Sequence, residues 1–187
     1  MITPSEFDRL ALQVIRKSVD SLIESGVSQY RGKKATFLDV APQVYDGVRK
    51  FIDASHTLHT LDISPEFSPD FLGDICRINT SLSDNSYDAI FLTEVIEHVL
   101  DPQGAIDETL RLLKPGGQLF ASSPFNFRIH GPLPDCWRIS EHGWRHLLRG
   151  YENVIIESEE DISRPLMPIH YRIIAKKSRT NQNINYV

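Results

Sequence analysis

The sequence predicts an α/β protein whose mainly parallel sheet is covered by helices on both faces. Two observations support this fold class. Runs rich in β-branched and aromatic residues alternate along the chain with segments of helical period. Within residues 82–124, an apolar run ends in a short acidic turn, an amphipathic helix follows, and a Pro-Gly-Gly turn opens a second apolar run. That order is typical of a β-α-β unit, in which the two strands are parallel.

The first predicted element is an amphipathic helix. Thr3, Pro4 and Glu6 fit the N-cap, first and third positions of a capping box. Apolar residues then recur at helical spacing as far as Gly26, where we expect the helix to end. Its polar face carries mixed charge and few basic residues, which disfavours a membrane-surface role. We therefore expect residues 1–26 to pack on the rest of the domain.

The remaining elements follow from the same periodicities and from turn residues. They are a strand at 36–40, a helix at 44–52, a strand at 57–62, a short strand around 74–77, the β-α-β unit of 82–124, a loop at 124–138, a helix from Ser140 to about Arg149, and strands at 154–159 and 171–176. Strands and helices thus alternate over most of the chain, which favours parallel strand pairing.

One domain accounts for the chain. Its 187 residues are enough to bury about 70% of the surface of the unfolded form, and no linker or internal repeat divides them. We expect a single domain over residues 1–177 and a disordered tail over 178–187, which has little apolar content. Cys76 and Cys136 lack metal-type spacing and are expected to be reduced thiols.

Composition excludes several classes of partner. The net charge is −5 and no Lys/Arg block is present, which argues against a nucleic acid as the main partner. No stretch of 18 apolar residues occurs, and the N-terminus lacks the features of a signal peptide. The sequence therefore predicts a cytoplasmic protein that binds a small molecule and no membrane. Oligomeric state is left open, with a homodimer among the alternatives.

Residues that follow the strands are candidates for a binding site. Ligands of open parallel sheets bind at the carboxyl ends of the strands. In the β-α-β unit this rule selects Thr93 and Glu94 after the first strand and residues 122–125 at the end of the second.

Two segments carry a resemblance to a known family. DAIFLTEVIEHVLDP, followed by LRLLKPGGQLFASSP, resembles the fourth to fifth strands of class I S-adenosylmethionine-dependent methyltransferases, and in particular the type 11 methyltransferase domain. A weaker resemblance extends over about residues 35–176. It implies a doubly wound, Rossmann-like sheet of seven strands with the last strand antiparallel, and S-adenosylmethionine as the cofactor.

The resemblance also implies a set of cofactor-binding residues. Asp62 at the end of the second strand is expected to accept hydrogen bonds from both ribose hydroxyls, for which a carboxylate about 20 residues after the first strand is suited. An alternative is that Asp62 only caps the strand. The full predicted set is Asp39, Val40 and Ala41 by the amino-acid end, Asp62 and Ile63 by the ribose, Asp74 and Ile75 by the adenine, and Thr93 and Glu94 by the sulfonium.

The loop after the first strand departs from the family pattern. The family has a glycine-rich Asp-x-Gly-x-Gly-x-Gly segment, whereas this chain has Ala41, Pro42 and Gln43 at the corresponding positions. Proline fixes φ and lacks an N–H donor, so we expect the loop to leave the usual path, with alanine tolerated if its φ is negative. A loss of cofactor binding is the alternative outcome, which would leave a non-catalytic binding module.

The loop after the fifth strand is predicted to bind the acceptor. It resembles a P…H…P-D-x-W-R segment of a subset of these enzymes, several of them associated with sugar pathways. His130 is the candidate general base, and Arg128, Asp135, Trp137 and Arg138 are candidate acceptor-binding residues. The structural alternative has Trp137 anchoring the loop and Arg138 pairing with Asp135. His98 is equally compatible with a structural and a catalytic role.

These observations predict a methyltransferase that acts on a hydroxyl or amine of a small polar metabolite, such as a sugar or sugar nucleotide. Proximity and alignment would account for much of the rate. No metal is predicted, because no ligand spacing is recognisable. A nicotinamide dehydrogenase is disfavoured, since no G-x-G-x-x-G follows an early strand.

Overall fold

A computed structural model of the chain describes residues 3–161 and 163–179. Its helices are α1 (Glu6–Ser28), α2 (Pro102–Leu112) and α3 (Glu141–Leu147), and its strands are β1 (Ala35–Val40), β2 (His56–Asp62), β3 (Phe71–Leu72), β4 (Tyr87–Thr93), β5 (Leu113–Pro124), β6 (Glu152–Glu159) and β7 (His170–Lys176).

The seven strands form one sheet in the order β3-β2-β1-β4-β5-β7-β6. β1 pairs in parallel with β2 and β4, while β7 runs antiparallel between β5 and β6. The predicted fold class is therefore confirmed, including the antiparallel last strand. Because β1 lies between β2 and β4, the carboxyl ends of these three strands meet at one edge of the sheet.

Both faces of the central strands β1, β4 and β5 are buried, which explains their nearly continuous apolar runs. Along β4, Ile90 and Leu92 pack with α2 and α3 in one core cluster, whereas Ala89 and Phe91 face the opposite side and pack with α1 in another. Gly26 of α1 lies so close to the sheet that a Cβ at this position would be 2.9 Å from the Phe91 ring. Gly26 therefore allows α1 to pack closely against the sheet. The helix was expected to end at this residue, but it ends two residues later at Ser28.

Several predicted local details are wrong. The capping box of α1 is formed by Ser5 and Asp8 instead of Thr3 and Glu6. The predicted helix at 44–52 is reduced to a 3₁₀ turn at Gly47–Lys50. The third strand is Phe71–Leu72, and 74–77 forms a turn stabilised by the Asp74 carbonyl. The Pro-Gly-Gly turn lies inside β5, where the pairing register with β4 shifts.

Other parts of the prediction agree with the structure. The N-terminal helix packs on the sheet as expected, the 125–139 segment is a loop, and Ser140 caps α3. Cys76 and Cys136 are free thiols. Among the described residues, no helix combines the length and apolarity needed to cross a membrane. The predicted disordered tail lies outside the described residues, apart from Ser178 and Arg179.

Candidate functional site

Asp39 is the first carboxylate at the carboxyl edge. Its side chain is buried, and its Oδ2 accepts a hydrogen bond from the Val48 N–H at 2.9 Å. Burial raises the pKa of Asp39 to about 7, although the Val48 hydrogen bond and the charge of Arg49 act in the opposite direction. Gly47, with φ of +50°, allows this contact, because a Cβ there would lie 2.4 Å from the Asp39 carboxylate.

Asp62 ends β2 beside Asp39, and it is also buried. Its Oδ1 accepts a hydrogen bond from the Ser64 N–H at 2.8 Å. Its Oδ2 is inaccessible and accepts no hydrogen bond from any described residue. A buried carboxylate oxygen without a donor is costly, so this atom is suited to a ligand that brings one.

A cavity of about 380 Å³ brings these two aspartates together. It is lined by Asp39 and Asp62, by the loop after β1, and by the segment after β2, the further lining residues being Pro42, Gln43, Val44, Tyr45, Asp46, Arg49, Leu58, Thr60, Phe67, Ser68 and Pro69. Asp39 and Asp62, which the sequence selected separately, thus line one cavity. The other predicted cofactor residues do not line it.

The loop after β1 takes a conformation that its residues disfavour. Ala41 and Gln43 have φ of +52° and +53°, in the left-handed region where glycine is favoured. We expected alanine here to require a negative φ, and the structure contradicts this. The Ala41 N–H donates to the Leu61 carbonyl at 2.8 Å, which holds the start of the loop against β2. The chain therefore keeps glycine-like dihedrals without the glycines.

The adenine-side candidates lie after β3. Asp74 is half-buried, and its Oδ1 accepts a hydrogen bond from the Cys76 N–H at 2.9 Å. Ile75 is buried in the core, whereas Ile63 is largely exposed. Val40 is buried in the same core as Ile75, so only its backbone is available to a ligand.

Thr93 ends β4 and Glu94 follows it, at the same edge of the sheet. Glu94 has φ of +55°, a strained value for a glutamate. Its Oε1 accepts a hydrogen bond from the Ser122 hydroxyl at 2.8 Å and lies 2.7 Å from Nε2 of His170. Nδ1 of His170 contacts the Ser18 hydroxyl of α1 at 3.0 Å. The sequence did not reveal Ser18 and His170, because His170 reaches this edge through the antiparallel placement of β7 and Ser18 through the packing of α1 on the sheet.

A second polar cluster lies where the loop after β5 meets the turn after β4. It contains Glu97, His98, His130, Asp135 and Arg138. Nε2 of His98 and Nε2 of His130 each lie 3.7 Å from Oε1 of Glu97, and the two imidazole rings are 4.9 Å apart. The Glu97 carbonyl accepts hydrogen bonds from the N–H groups of residues 136 and 137, which fixes the loop on the turn.

Glu97 is a buried carboxylate of this cluster that lacks hydrogen-bond donors among the described residues. Its side chain has no exposed surface, and neither carboxylate oxygen accepts a hydrogen bond from a described residue. Burial raises the pKa of Glu97 well above its ordinary value, and the nearby negative charge of Glu94 raises it further. Sequence reasoning gave this residue no definite role.

Asp135 holds the loop together. Burial alone would raise its pKa, but hydrogen bonds from Arg138 and from the His130 N–H outweigh burial and lower the pKa to about 2. Arg138 donates to both carboxylate oxygens of Asp135, so the two side chains pair as the structural alternative predicted. Burial lowers the pKa of His130, against the opposing charge of Asp135.

The outer part of this loop contacts α1 and the turn after β4. Trp137 is 41% exposed and donates its indole N–H to the Val99 carbonyl at 2.8 Å, so it anchors the loop by a hydrogen bond. Arg128 lies 3.6 Å from the Asp8 carboxylate of α1. Between α1 and the loop lies a groove of about 590 Å³ that His130 helps to line.

Comparison with known proteins gives the chain a family. The family model described as "Methyltransferase domain" matches residues 25–121, which is more than half of the chain. A "Ubiquinone biosynthesis O-methyltransferase" of Xanthomonas oryzae pv. oryzae is 33% identical over 94 residues, covering 49% of this chain and 34% of that relative. The chain therefore spans about a third of the length of the curated relatives it matches.

Solved structures share the fold at low sequence identity. A SAM-dependent methyltransferase from Archaeoglobus fulgidus has a TM-score of 0.68 and 16% identity, covering 87% of this chain and 94% of that one. The Haemonchus contortus phosphoethanolamine N-methyltransferase 2, solved in complex with S-adenosyl-L-methionine, has a TM-score of 0.64 and 14% identity, with 84% and 52% covered. At such identities the likeness concerns the fold alone.

Proposed function

The chain belongs to the methyltransferase domain family, and from this premise we propose that it transfers a methyl group from S-adenosylmethionine to a hydroxyl of a small polar acceptor. The family supplies the reaction class and the cofactor. The relatives that match at 33% identity are O-methyltransferases by name, which favours a hydroxyl over an amine. A sugar or sugar nucleotide remains a prediction from the loop after β5.

The observation that carries the proposal is the unpaired Oδ2 of Asp62. This atom is buried at the end of β2, where a parallel sheet of this kind binds its ligand. A ribose hydroxyl would supply the missing donor, because an ionised carboxylate only accepts hydrogen bonds. The residues present therefore fit the ribose of the cofactor.

The remaining predicted residues would hold the other parts of the cofactor. In this proposal Asp74 and Ile75 address the adenine, and Asp39, Val40 and Ala41 lie by the amino-acid end. Thr93 and the constrained Glu94 lie by the sulfonium, whose positive charge a carboxylate stabilises. When bound, S-adenosylmethionine supplies the activated methyl group, and the protein supplies alignment.

His130 is the proposed group for handling the acceptor proton. Its Nδ1 faces Asp135 at 3.0 Å, and a carboxylate in that position holds the hydrogen on Nδ1. The lone pair is then on Nε2, as a general base requires. Arg128 lines the groove between α1 and the loop and is proposed to contact the acceptor there, whereas Trp137, which anchors the loop at Val99, is not among the groove residues.

Calorimetric titration with S-adenosylhomocysteine tests the proposal. We expect the wild type to bind and Asp62→Ala to bind between about tenfold and a hundredfold more weakly, because hydrogen bonds to a charged group contribute about 1.5–3 kcal/mol each. Asp107→Asn, at an exposed position on α2, is the matched control and should bind like the wild type. Equal binding by wild type and Asp62→Ala would contradict the ribose assignment.

A second candidate function is a binding module without catalysis. Pro42 and Gln43, which stand where the family pattern has glycine, favour it, since both line the cavity. Absence of heat with wild-type protein at about 1 mM S-adenosylhomocysteine would favour this candidate, since such a ligand would bind too weakly to serve as a cofactor.

A further inference from the structure

We propose that Glu97, His98 and His130 form a binding site for a divalent first-row transition-metal ion. The possible ligand atoms of these three residues all lie within 4.8 Å of one another. No metal spacing is visible in the sequence, because Glu97 and His98 are adjacent while His130 comes from a loop after the next strand. The fold brings them together through the hydrogen bonds from residues 136 and 137 to the Glu97 carbonyl.

The hydrogen bonds around the two imidazoles determine which nitrogen faces Glu97 with a lone pair. Nδ1 of His98 lies 2.9 Å from the Pro134 carbonyl, which can only accept a hydrogen bond. Nδ1 of His130 lies 3.0 Å from the Asp135 carboxylate and 3.3 Å from the Arg128 carbonyl, which are also acceptors. Both neutral rings therefore carry hydrogen on Nδ1 and a lone pair on Nε2.

When Glu97 is ionised, the centre of the cluster therefore holds acceptors without a donor among the described residues. The two Nε2 atoms face Oε1 of Glu97 at 3.7 Å each, beyond hydrogen-bond distance. Glu97 is fully buried, and both of its carboxylate oxygens lack a partner among the described residues. A cation would satisfy all three groups at once. Two ligands about 2.1 Å from a tetrahedral ion lie about 3.4 Å apart, so small side-chain movements suffice.

The groups outside the cluster also fit a metal site. Metal-bound histidines almost always donate their second N–H to a carboxylate or a carbonyl, as His130 does to Asp135 and His98 does to the Pro134 carbonyl. Two imidazoles and one carboxylate suit zinc, iron or cobalt better than magnesium or calcium, which prefer oxygen ligands throughout. Three protein ligands leave coordination positions free for water or substrate.

Metal binding itself does not depend on the proposed methyl transfer, but its role in catalysis would. An ion with an open position can bind a hydroxyl oxygen of the acceptor and lower its pKa. His130 would then be a metal ligand and not the general base, because a lone pair bound to a metal cannot take a proton.

Titration of chelator-treated, tag-free protein with ZnCl₂ and CoCl₂ tests the site in the absence of S-adenosylmethionine. We expect one equivalent to bind with a dissociation constant of about 10 µM or lower, and Co²⁺ to give visible ligand-field bands. Glu97→Gln and His130→Asn should each weaken binding at least about tenfold, and Asp135→Asn by about 10- to 100-fold. His142→Asn, at an exposed position on α3, should bind like the wild type.

Circular dichroism of each variant separates loss of binding from loss of folding. If Glu97→Gln does not fold, two other measurements test the site. His98→Asn, at a partly exposed position, should weaken metal binding, and the wild type should show the Co²⁺ ligand-field bands. The proposal is overturned if the wild type binds neither ion at about 1 mM, if Glu97→Gln binds as tightly as the wild type, or if His142→Asn loses binding equally. Because the cofactor is absent, these outcomes are independent of those with S-adenosylhomocysteine.

Discussion

Asp39 and Asp62 are neighbouring buried carboxylates in different situations. Asp39 accepts a hydrogen bond from the Val48 N–H and has a pKa raised to about 7 by burial. Asp62 has one oxygen paired with the Ser64 N–H and one oxygen that no donor in the described part of the chain reaches. Asp39 is hydrogen-bonded within the protein, and burial disfavours its charged form. Asp62 has an oxygen that a ligand donor could satisfy. Substitution of Asp39 should therefore change the pH dependence of folding stability, whereas substitution of Asp62 should change ligand affinity.

Asp39 makes folding stability depend on pH. In the unfolded chain its pKa is near 3.9, and in the folded protein it is about 7. Between these values the folded state holds a proton that the unfolded state has lost, so the free energy of unfolding falls as pH rises from about 4 to about 7. The total loss is on the order of 4 kcal/mol and is complete above pH about 7.

Asp39→Asn should abolish this fall in the free energy of unfolding with rising pH, because asparagine does not titrate and still offers an oxygen to the Val48 N–H. Urea unfolding of the wild type and the variant at several pH values measures the difference. Asp46→Asn, in the exposed part of the same loop, should keep the wild-type pH dependence. Parallel profiles for the wild type and Asp39→Asn would show that Asp39 does not titrate in this range.

The loop after β1 is the element in which sequence and conformation conflict. Ala41 and Gln43 have backbone dihedrals in the left-handed region. The Asp39 carboxylate occupies the space that a side chain at position 47 would need, which only glycine leaves free. Non-glycine residues in this region cost about 1–2 kcal/mol each. Strain of this kind persists only where surrounding contacts fix the backbone, and it is commonly found at binding sites.

Glycine substitutions in this loop should stabilise the protein. We expect Ala41→Gly and Gln43→Gly each to raise the free energy of unfolding by about 1 kcal/mol, as relief of strain exceeds the added entropy of the unfolded chain. Ala54→Gly, at an exposed turn position without positive φ, should instead be neutral or lose up to about 1 kcal/mol. Urea unfolding measures all three, and a loss at position 41 as large as at position 54 would contradict the strain.

The elements were predictable from sequence to different extents. The strands that carry the cavity, β1 and β2, lie within one residue of their predicted bounds, because buried parallel strands have apolar patterns that tertiary contacts only reinforce. The helix predicted at 44–52 failed, because the positive φ of Gly47 and the contact of Val48 with Asp39 interrupt helical geometry. That contact joins residues on different elements, which local periodicity does not reveal.

From the sequence, residues of the candidate site could be selected only at strand ends or through the family resemblance. Glu94 was selected by its position after a strand, and Asp39 and Asp62 were selected through the family resemblance; the structure places all three at one edge of the sheet. The sequence singled out His98 and His130 separately, but it gave no sign that they form one cluster with Glu97. The cluster depends on how a loop of irregular conformation folds back on the turn after β4, and no residue pattern determines that path.

At the scale of the whole molecule, one chain of polar contacts joins four elements. The Ser18 hydroxyl of α1 contacts Nδ1 of His170 in β7 at 3.0 Å and Oε1 of Glu159 in β6 at 3.2 Å. Nε2 of His170 contacts Glu94 after β4 at 2.7 Å. The N-terminal helix is thereby linked to a residue proposed to lie by the sulfonium.

The extent of the domain over residues 1–177 and the cytoplasmic location of the protein stay predictions.

Ser18→Ala tests this chain of contacts. His170 is fully buried, so removal of the serine hydroxyl leaves a buried ring nitrogen without that partner. A buried polar group left unpaired costs about 1–3 kcal/mol, and we expect the free energy of unfolding to fall by that amount. Ser25→Ala is the matched control on the same helix, since its hydroxyl is exposed and bonds only to the Leu22 carbonyl of α1.

The control should change stability by less than about 0.5 kcal/mol, because alanine is the best helix former and the lost hydrogen bond is at the surface. Titration with S-adenosylhomocysteine gives a second readout. If His170 holds Glu94 in its strained conformation, Ser18→Ala should weaken binding as well as stability, whereas Ser25→Ala should change neither. Equal stability of the two variants would mean that the Ser18 contact is dispensable, and a destabilised Ser18→Ala with unchanged affinity would confine its role to packing of α1 on the sheet.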